Sequence, residues 1–361
     1  RGRVVGGSSA VNTTIALRGM VEDYAEWADF GNTEWAWDKI LPAFNRLERD
    51  LDYGHEAYHG DAGPISIRRY PAAELLPQHQ AFLDTAAVLG YPYCGDANDP
   101  TGFGAGPQPM NKLGRLRISC AVGYLAAARI RPNLTIEANT TVRRIIFEGK
   151  KATAVEVEDL AGNIETISAR LIVLSAGALM SPAILMRSGV GSTDELNRHG
   201  IDLVAVEPGV GQNLSDHPAL AVVCEVKEGA MIDHDAPIIQ TILRYTAEGS
   251  DKRNDLQIEQ ISFAGKQGGR SLFSIAAVLE YQYGRGELRL RSANSRDAPI
   301  IDNQFCEDDR DTNRLVTCMK DALAFTTRGE LGKMIKSVTF PDPARGNDDE
   351  SLANLCRKLA G

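Results

Sequence analysis

The chain has 361 residues, with 39 Lys or Arg against 48 Asp or Glu, which gives a formal net charge of −9 at pH 7. Hydrophobic residues make up 43% of it, a share typical of globular proteins and too high for a disordered chain. An acidic chain without a basic block lacks the electrostatic footprint of nucleic-acid binding, and no apolar run approaches the roughly 18 residues of a transmembrane segment.

The first third of the sequence predicts helices separated by an irregular loop. A helix is predicted over residues 36–52, where apolar side chains recur at spacings of four, three and four, at Ile40, Phe44, Leu47 and Leu51. A second helix carries Phe82 on its apolar face and ends at Gly90. The glycines and prolines of residues 98–109 predict an irregular loop, and Ser119 is the expected N-cap of a helix that runs through Arg129.

The middle of the chain is rich in Val, Ile and Thr. Five strands are predicted there, over residues 134–138, 142–148, 152–158, 164–168 and 171–175. The last includes Leu171–Leu174, which is apolar on both faces, as expected for a strand inside a covered sheet. A helix should follow, opened by Ser181 and Pro182 and closed by Gly189.

The last third predicts an antiparallel sheet, because consecutive strands follow one another without an intervening helix. The predicted strands are residues 219–227, 238–246, 255–263, 273–283 and 286–292. An amphipathic helix from Leu315 to Leu323 should cover one face of this sheet.

Six scattered cysteines form no Cys-x-x-Cys pair, which argues against a zinc site and against a disulfide framework. We therefore expect reduced thiols, no metal site and a cytoplasmic protein. A periplasmic or membrane-associated location stays open.

Two glycine-rich segments are the candidate binding elements. In Gly2–Asn12, adjacent glycines permit close approach of a ligand to the backbone, and a helix starting there would point its positive end at an anion. A plain glycine turn before a helix explains the same residues equally well. In Ser175–Gly191, a buried strand leads through small residues into a helix, as at the ligand-binding edge of α/β sheets. Neither segment is a G-x-G-x-x-G or P-loop motif, so spacing alone names no ligand.

Together the two segments closely resemble the two signature motifs of the glucose-methanol-choline (GMC) family of FAD-dependent oxidoreductases. Further similarity lies in Glu22–Trp27, Gly209–Pro218 and Gly286–Asp302, so the resemblance covers essentially the whole chain. It implies an α/β chain, α+β overall. An incomplete Rossmann-like FAD-binding domain is joined to a substrate domain whose antiparallel sheet is flanked by helices.

The resemblance also implies domain boundaries. Residues 1–34 and 129–218 would form two parts of the FAD-binding domain. Residues 35–128 would be a helical and loop segment of the substrate domain that also covers FAD. Residues 219–361 would be the substrate-binding domain with its antiparallel sheet and helices.

Cofactor-binding residues are implied by position in the two motifs and in one strand. They are Gly6, Gly7, Ser8, Asn12, Thr13, Ile15, Val142, Ala176 and Gly177. Relatives that link FAD covalently do so through a His where this chain has Val11, so FAD is expected to bind non-covalently.

The implied reaction is oxidation of the CH–OH group of a small-molecule alcohol, as in choline-dehydrogenase-like enzymes. Hydride passes to flavin N5 while an imidazole takes the hydroxyl proton. The alcohol and the electron acceptor, which is oxygen or a quinone or dye, stay open. A hydroxynitrile lyase of the same fold and a non-catalytic remnant or binding module are the alternatives.

No residue is assigned as catalytic. None of the six histidines stands at the family's catalytic position; His217 is expected to be structural, and Asp233–Asp235 a solvated loop around His234 rather than a metal site. The family's initial G-x-G-x-x-G unit and its C-terminal histidine segment have no counterpart in the sequence. We therefore expect an internal fragment of a longer protein, inactive by itself.

Overall fold

The computed structural model describes residues 1–227, 236–267 and 270–361. These residues form two compact units. The first unit holds residues 1–134, 217–281 and 309–361, and the second unit holds residues 135–216 and 282–308.

Helices and strands occur in both units. The helices are α1 (Val21–Asp29), α2 (Trp37–Leu47), α3 (Pro77–Val88), α4 (Ala126–Ala128), α5 (Gly177–Arg187), α6 (Thr193–Arg198), α7 (Asp309–Phe325), α8 (Gly329–Met334) and α9 (Asp349–Leu359). The strands are β1 (Glu48–Asp50), β2 (Ile65–Ile67), β3 (Gly104–Pro107), β4 (Lys112–Leu113), β5 (Leu116–Arg117), β6 (Thr141–Glu148), β7 (Lys151–Glu158), β8 (Ile164–Ser168), β9 (Val190–Gly191), β10 (Ala205–Val206), β11 (Ala219–Val226), β12 (Ile239–Tyr245), β13 (Leu256–Gln267), β14 (Arg270–Leu279), β15 (Glu287–Arg289), β16 (Ile300–Asp302) and β17 (Ile335–Phe340).

A six-stranded antiparallel sheet dominates the first unit, in the order β17-β11-β14-β13-β12-β3. Its register places Val222 opposite Ile275 and Ile258 opposite Ala277. The antiparallel sheet predicted from the sequence is therefore confirmed. The predicted loop over residues 98–109 is wrong for Gly104–Pro107, because β3 pairs with β12 at the sheet edge.

Two helices cover one face of this sheet. The α7 side chains of Leu315, Met319 and Ala322 are fully buried, which is the face that the sequence spacing predicts. The ring of Phe325 stacks on Phe82 of α3, with centroids 4.8 Å apart. The core of the first unit thus lies between the sheet and α3 and α7.

The second unit is built on the antiparallel sheet β6-β7-β8 and on α5. One cluster of its hydrophobic core consists of Ala183, Met186, Leu196, Leu288 and Leu290. Strand β15 pairs with β16, so the predicted strand at residues 286–292 does not extend the large sheet.

Helix ends differ from the sequence prediction at three places. Helix α2 ends at Leu47 because the following residues pair with β2, which leaves Leu51 48% exposed. Helix α5 begins at Gly177, four residues before the predicted N-cap Ser181. The Ser181 hydroxyl instead accepts a hydrogen bond from the Ala176 N–H, which precedes the helix. Ser119 Oγ accepts from the Val122 N–H, but a turn of π-helix over Ala121–Leu125 precedes the short α4.

Two predicted strands, residues 134–138 and 171–175, form no ladder with any described strand. Leu171 is 78% and Val173 76% exposed. A strand that is apolar on both faces needs neighbouring strands and covered faces. The described residues supply neither to this segment, so that prediction is wrong for the described part of the chain.

In the described ranges no helix is both long enough and apolar enough to span a bilayer.

Candidate functional site

The first glycine-rich segment folds as a tight turn followed by one turn of 3-10 helix, Gly7–Ala10. Gly6 and Gly7 both have positive φ, +96° and +57°. A Cβ atom on Gly6 would lie 3.1 Å from the Ala121 Cβ, whereas one on Gly7 would meet no atom within 4 Å. Gly6 therefore suits both its left-handed backbone and its close contact with Ala121, and Gly7 presents bare backbone to open space.

Short polar side chains brace this turn. Ser9 Oγ donates to the Gly6 carbonyl at 2.6 Å and accepts from the Cys120 N–H at 2.9 Å. Asn12 Oδ1 accepts from the Thr14 N–H at 3.1 Å. Asn12 is itself exposed. The hydrogen bond from Thr14 uses the amide oxygen of Asn12, so the Asn12 amide NH₂ is left as a donor at the surface.

The other residues predicted to bind from this segment differ in exposure. Ser8 and Thr13 are exposed, and Ile15 is half-buried. Ile15 is held by a β-bridge to Met110. The exposed polar residues are therefore accessible to a ligand.

The second glycine-rich segment places its small residues at the N-terminus of α5. Ala176 and Gly177 are exposed, Gly177 has φ +87°, and a Cβ on it would meet no atom within 4 Å. A helix N-terminus carries partial positive charge and unpaired N–H groups. Gly177 therefore opens this end of α5 to a polar or anionic group.

Val142 lies on β6, an edge strand of its sheet, where it is half-buried opposite Val157. An edge strand leaves alternate backbone groups unpaired by the sheet. Val142, Ala176 and Gly177 belong to the second unit, whereas the predicted residues from Gly6 to Ile15 belong to the first. The assignment of all nine residues to FAD stays a prediction.

The histidines are engaged in different ways. His217 Nδ1 lies 3.1 Å from Glu280 Oε2. His79 is fully buried between Thr241 Oγ1 and Ser262 Oγ, and burial lowers the pKa of its imidazole to about 3. His234 lies outside the described residues, as do its neighbours in the predicted loop.

His59 belongs to a buried charge network that the sequence does not predict. Its Nδ1 lies 2.6 Å from Glu48 Oε1 and its Nε2 2.8 Å from Asp96 Oδ2. Burial by itself lowers the pKa of His59, but the hydrogen bonds to Asp96 and Glu48 and the charge of Asp50 outweigh it and raise that pKa to about 9. His59 is therefore a cation at neutral pH.

Two arginines complete the network. Arg18 Nη2 lies 2.6 Å from Glu48 Oε1, and Arg69 Nη1 lies 2.8 Å from Asp50 Oδ2. Glu48, Asp50 and His59 bring ligand atoms within 4.8 Å of one another, as a metal site would. Guanidinium groups already pair with these carboxylates, so we interpret the cluster as a structural ion network that connects loops. Its one sequence signal is the spacing of Glu48 and Asp50, which places both on one face of a strand.

Comparisons with known proteins agree with the two motifs. A family model described as GMC oxidoreductase matches residues 1–219. A 5-(hydroxymethyl)furfural oxidase from Methylovorus sp. (strain MP688) is 34% identical over 327 residues, covering 87% of this chain and 60% of that protein. The mitochondrial choline dehydrogenase of Mus musculus is 32% identical over 348 residues, covering 89% of this chain and 58% of that protein.

A solved structure is similar over nearly the whole chain. The pyridoxine 4-oxidase from Mesorbium loti matches with a TM-score of 0.89 and 27% identity, covering 99% of this chain and 71% of that one. The mixed helix and sheet fold expected from the sequence is thereby confirmed. The chain spans 58% and 60% of the length of the two curated relatives above.

Proposed function

This chain belongs to the GMC oxidoreductase family, and on that premise we propose that it is part of an FAD-dependent enzyme that oxidises the CH–OH group of a small alcohol. The observation that carries the proposal is that Gly7 and Gly177, which belong to the two segments that resemble the family's signature motifs, both have open space where a side chain would lie. The furfural oxidase and the choline dehydrogenase, by their names, support an alcohol substrate.

The residues of both turns suit a flavin nucleotide. At Gly7 the backbone can approach a ligand without a side chain in the way, and the exposed Ser8 and Asn12 offer hydroxyl and amide donors for phosphate or ribitol oxygens. At Gly177 the N-terminus of α5 favours negative charge. When bound, FAD would accept the hydride that leaves the carbinol carbon.

Binding can be tested with a matched pair of glycines in the second unit. Gly177 and Gly162 have nearly equal φ, +87° and +88°, and a Cβ on either meets no atom closer than 4.0 Å. Replacing either by Ala adds the same backbone strain, but only Gly177→Ala places a methyl group where FAD is proposed to lie. We expect Gly177→Ala to weaken FAD binding about tenfold, measured by flavin fluorescence titration. Equal affinities in the two variants would contradict the proposed site.

We also propose that FAD binds non-covalently. Val11 is 58% exposed, and its alkyl side chain has no nucleophile that could bond to the flavin. After denaturation and ultrafiltration, the flavin absorbance should appear in the filtrate. Flavin that stays with the denatured polypeptide would disprove this.

An experiment on the protein expressed from its complete reading frame can distinguish alcohol oxidation from hydroxynitrile lyase activity. Anaerobic bleaching of bound flavin by an alcohol would support the oxidoreductase. Cyanohydrin cleavage without bleaching would support a hydroxynitrile lyase. Reoxidation of the reduced flavin by oxygen or by a quinone would then identify the electron acceptor.

We also propose a cytoplasmic location, which the six free thiols support.

A further inference from the structure

The second unit contains a cavity of about 500 Å³ beside β6 and the C-terminal end of α5. Pockets that hold small molecules commonly measure about 300–1,000 Å³. Its lining combines apolar and basic side chains, chiefly Ile145, Phe147, Ile201, Arg143, Arg144 and Arg187. None of the residues predicted to contact FAD lines it.

Arg187 is the distinctive group of this cavity. It is only 6% exposed, and its Nε donates to the Arg143 carbonyl at 2.9 Å. Its Nη2 is buried without an acceptor among the described residues. Burial lowers the pKa of the Arg187 guanidinium. An arginine nevertheless stays charged in a protein, so its positive charge is buried without a carboxylate counter-ion in the described part of the chain.

The other charged side chains that line the cavity do not neutralise the Arg187 guanidinium. Arg143 and Arg144 pair with the carboxylate of Glu156, at 3.4 Å and 3.2 Å, and Arg143 Nε also lies 3.9 Å from Glu158 Oε2. Asp202 also lines the cavity, but it forms no ion pair with Arg187 within the described ranges. Three guanidinium groups and two carboxylates line the cavity, and no ion pair within the described ranges includes Arg187.

A buried charge that lacks a partner is costly, and proteins normally compensate it by pairing. Arg314 in the first unit illustrates this, since it is buried to a similar degree and pairs with Asp255 and Asp311. Arg187 lacks such carboxylates but opens on a cavity large enough for a ligand.

We propose that this cavity binds a small molecule that carries a carboxylate or phosphate group on an apolar body. The anion lies at Arg187 and the apolar body against Phe147 and Ile201. Arg144, whose side chain is 54% exposed, adds positive charge at the cavity.

The probes are benzoate, its neutral isostere benzamide, and inorganic phosphate, titrated into the purified 361-residue chain by isothermal calorimetry. Benzoate should bind saturably, and benzamide should bind at least about tenfold more weakly, because it carries no negative charge to pair with the guanidinium. Competition of phosphate with benzoate would show that the site accepts phosphate as well as carboxylate; without competition, the site takes carboxylates alone.

Variants assign the effect to Arg187. Arg187→Met keeps an unbranched apolar stem without the charge and should weaken benzoate binding about tenfold or more. Arg198→Met is the matched control, because Arg198 lies in the same unit with a 55% exposed side chain that pairs with Glu195, and it should bind as the parent does. Circular dichroism verifies that each variant is folded.

Should Arg187→Met not fold, Arg144→Gln and the comparison of benzoate with benzamide test the same idea. Arg144→Gln removes an exposed charge and should weaken benzoate binding about threefold. The proposal is overturned if neither anion binds below roughly 10 mM. Equal binding of benzamide and benzoate, or unchanged binding in Arg187→Met, would overturn it too.

Discussion

Two histidines of the first unit have fully buried side chains in the part of the chain that the structure describes, and one is a cation whereas the other is neutral at pH 7. The side chain of His59 is 0% exposed and His79 is also 0% exposed, so burial disfavours the cation at both. Carboxylates flank His59 and raise its pKa to about 9, whereas His79 lies between two hydroxyl groups and burial lowers its pKa to about 3. The neighbours of each imidazole, more than its depth, decide its charge.

The raised pKa of His59 links folding stability to pH. The unfolded imidazole has a pKa of about 6.5, so the folded state binds the proton more tightly than the unfolded state. The stabilisation is complete below about pH 6.5 and is lost as the pH rises through about 9. The shift corresponds to about 3 kcal/mol of unfolding free energy. Urea denaturation followed by circular dichroism, from about pH 6 to about pH 10, measures it.

His59→Gln should remove most of this pH dependence and lower stability at about pH 6. His55→Gln is the control, since the side chain of His55 is 73% exposed beside Glu56. A loss of stability across the alkaline range that is the same in His59→Gln as in the parent would contradict the assignment.

Residue-level chemistry was only partly readable from the sequence. The glycine motifs could be found because adjacent glycines and short polar residues stand together in the chain. The network around His59 could not, because Glu48, Arg69 and Asp96 come from separate segments that meet only after folding. Arg187 cannot be singled out from the sequence for a related reason, since the absence of a carboxylate beside it among the described residues is a property of its surroundings.

At the scale of elements, strand β3 depends on glycine. It lies between β12 on one side and the backbone near Cys94 on the other, with the Cys94 N–H donating to the Ala105 carbonyl at 2.8 Å. A Cβ on Gly106 would lie 1.6 Å from the Cys94 carbonyl oxygen. A side chain at this position would therefore push the two segments apart.

Gly106→Ala should lower the unfolding free energy by about 3 kcal/mol, measured by urea denaturation. Gly114→Ala is the control in the same unit: Gly114 has φ +53° and open space around a Cβ, so only backbone strain of about 1 kcal/mol is expected. If the two variants lose the same stability, close packing at β3 is not the reason for Gly106.

The elements that the sequence predicted well have one strong local pattern. Helix α7 shows apolar residues at helical spacing, and β11 to β14 are long runs of β-forming residues. Strand β3 was missed because two of its four residues are glycine, which normally indicates a turn. The early end of α2 was missed because ion pairing and pairing with β2 outweigh helical periodicity after Leu47.

At the scale of the whole molecule, we expect the 361-residue chain alone not to oxidise alcohols. Carbinol oxidation needs a base at the hydroxyl, usually an imidazole. In the first unit His59 is held between two carboxylates, His79 is enclosed by hydroxyl groups, and His217 pairs with Glu280. Reduction of a dye by alcohol, with FAD added, should stay at background. Dye reduction that depends on both FAD and the alcohol would disprove this expectation.

The unpaired segment Leu171–Leu174 bears on how the purified chain behaves in solution. Its Leu171 and Val173 side chains are largely exposed, and its backbone joins no sheet in the described part of the chain. Such a segment is a template for strand addition by a second copy, which leads to aggregation. Val173→Lys should therefore increase the soluble yield and suppress light scattering on warming. Leu160→Lys, at an exposed residue in the turn between β7 and β8, should raise the soluble yield less than Val173→Lys does.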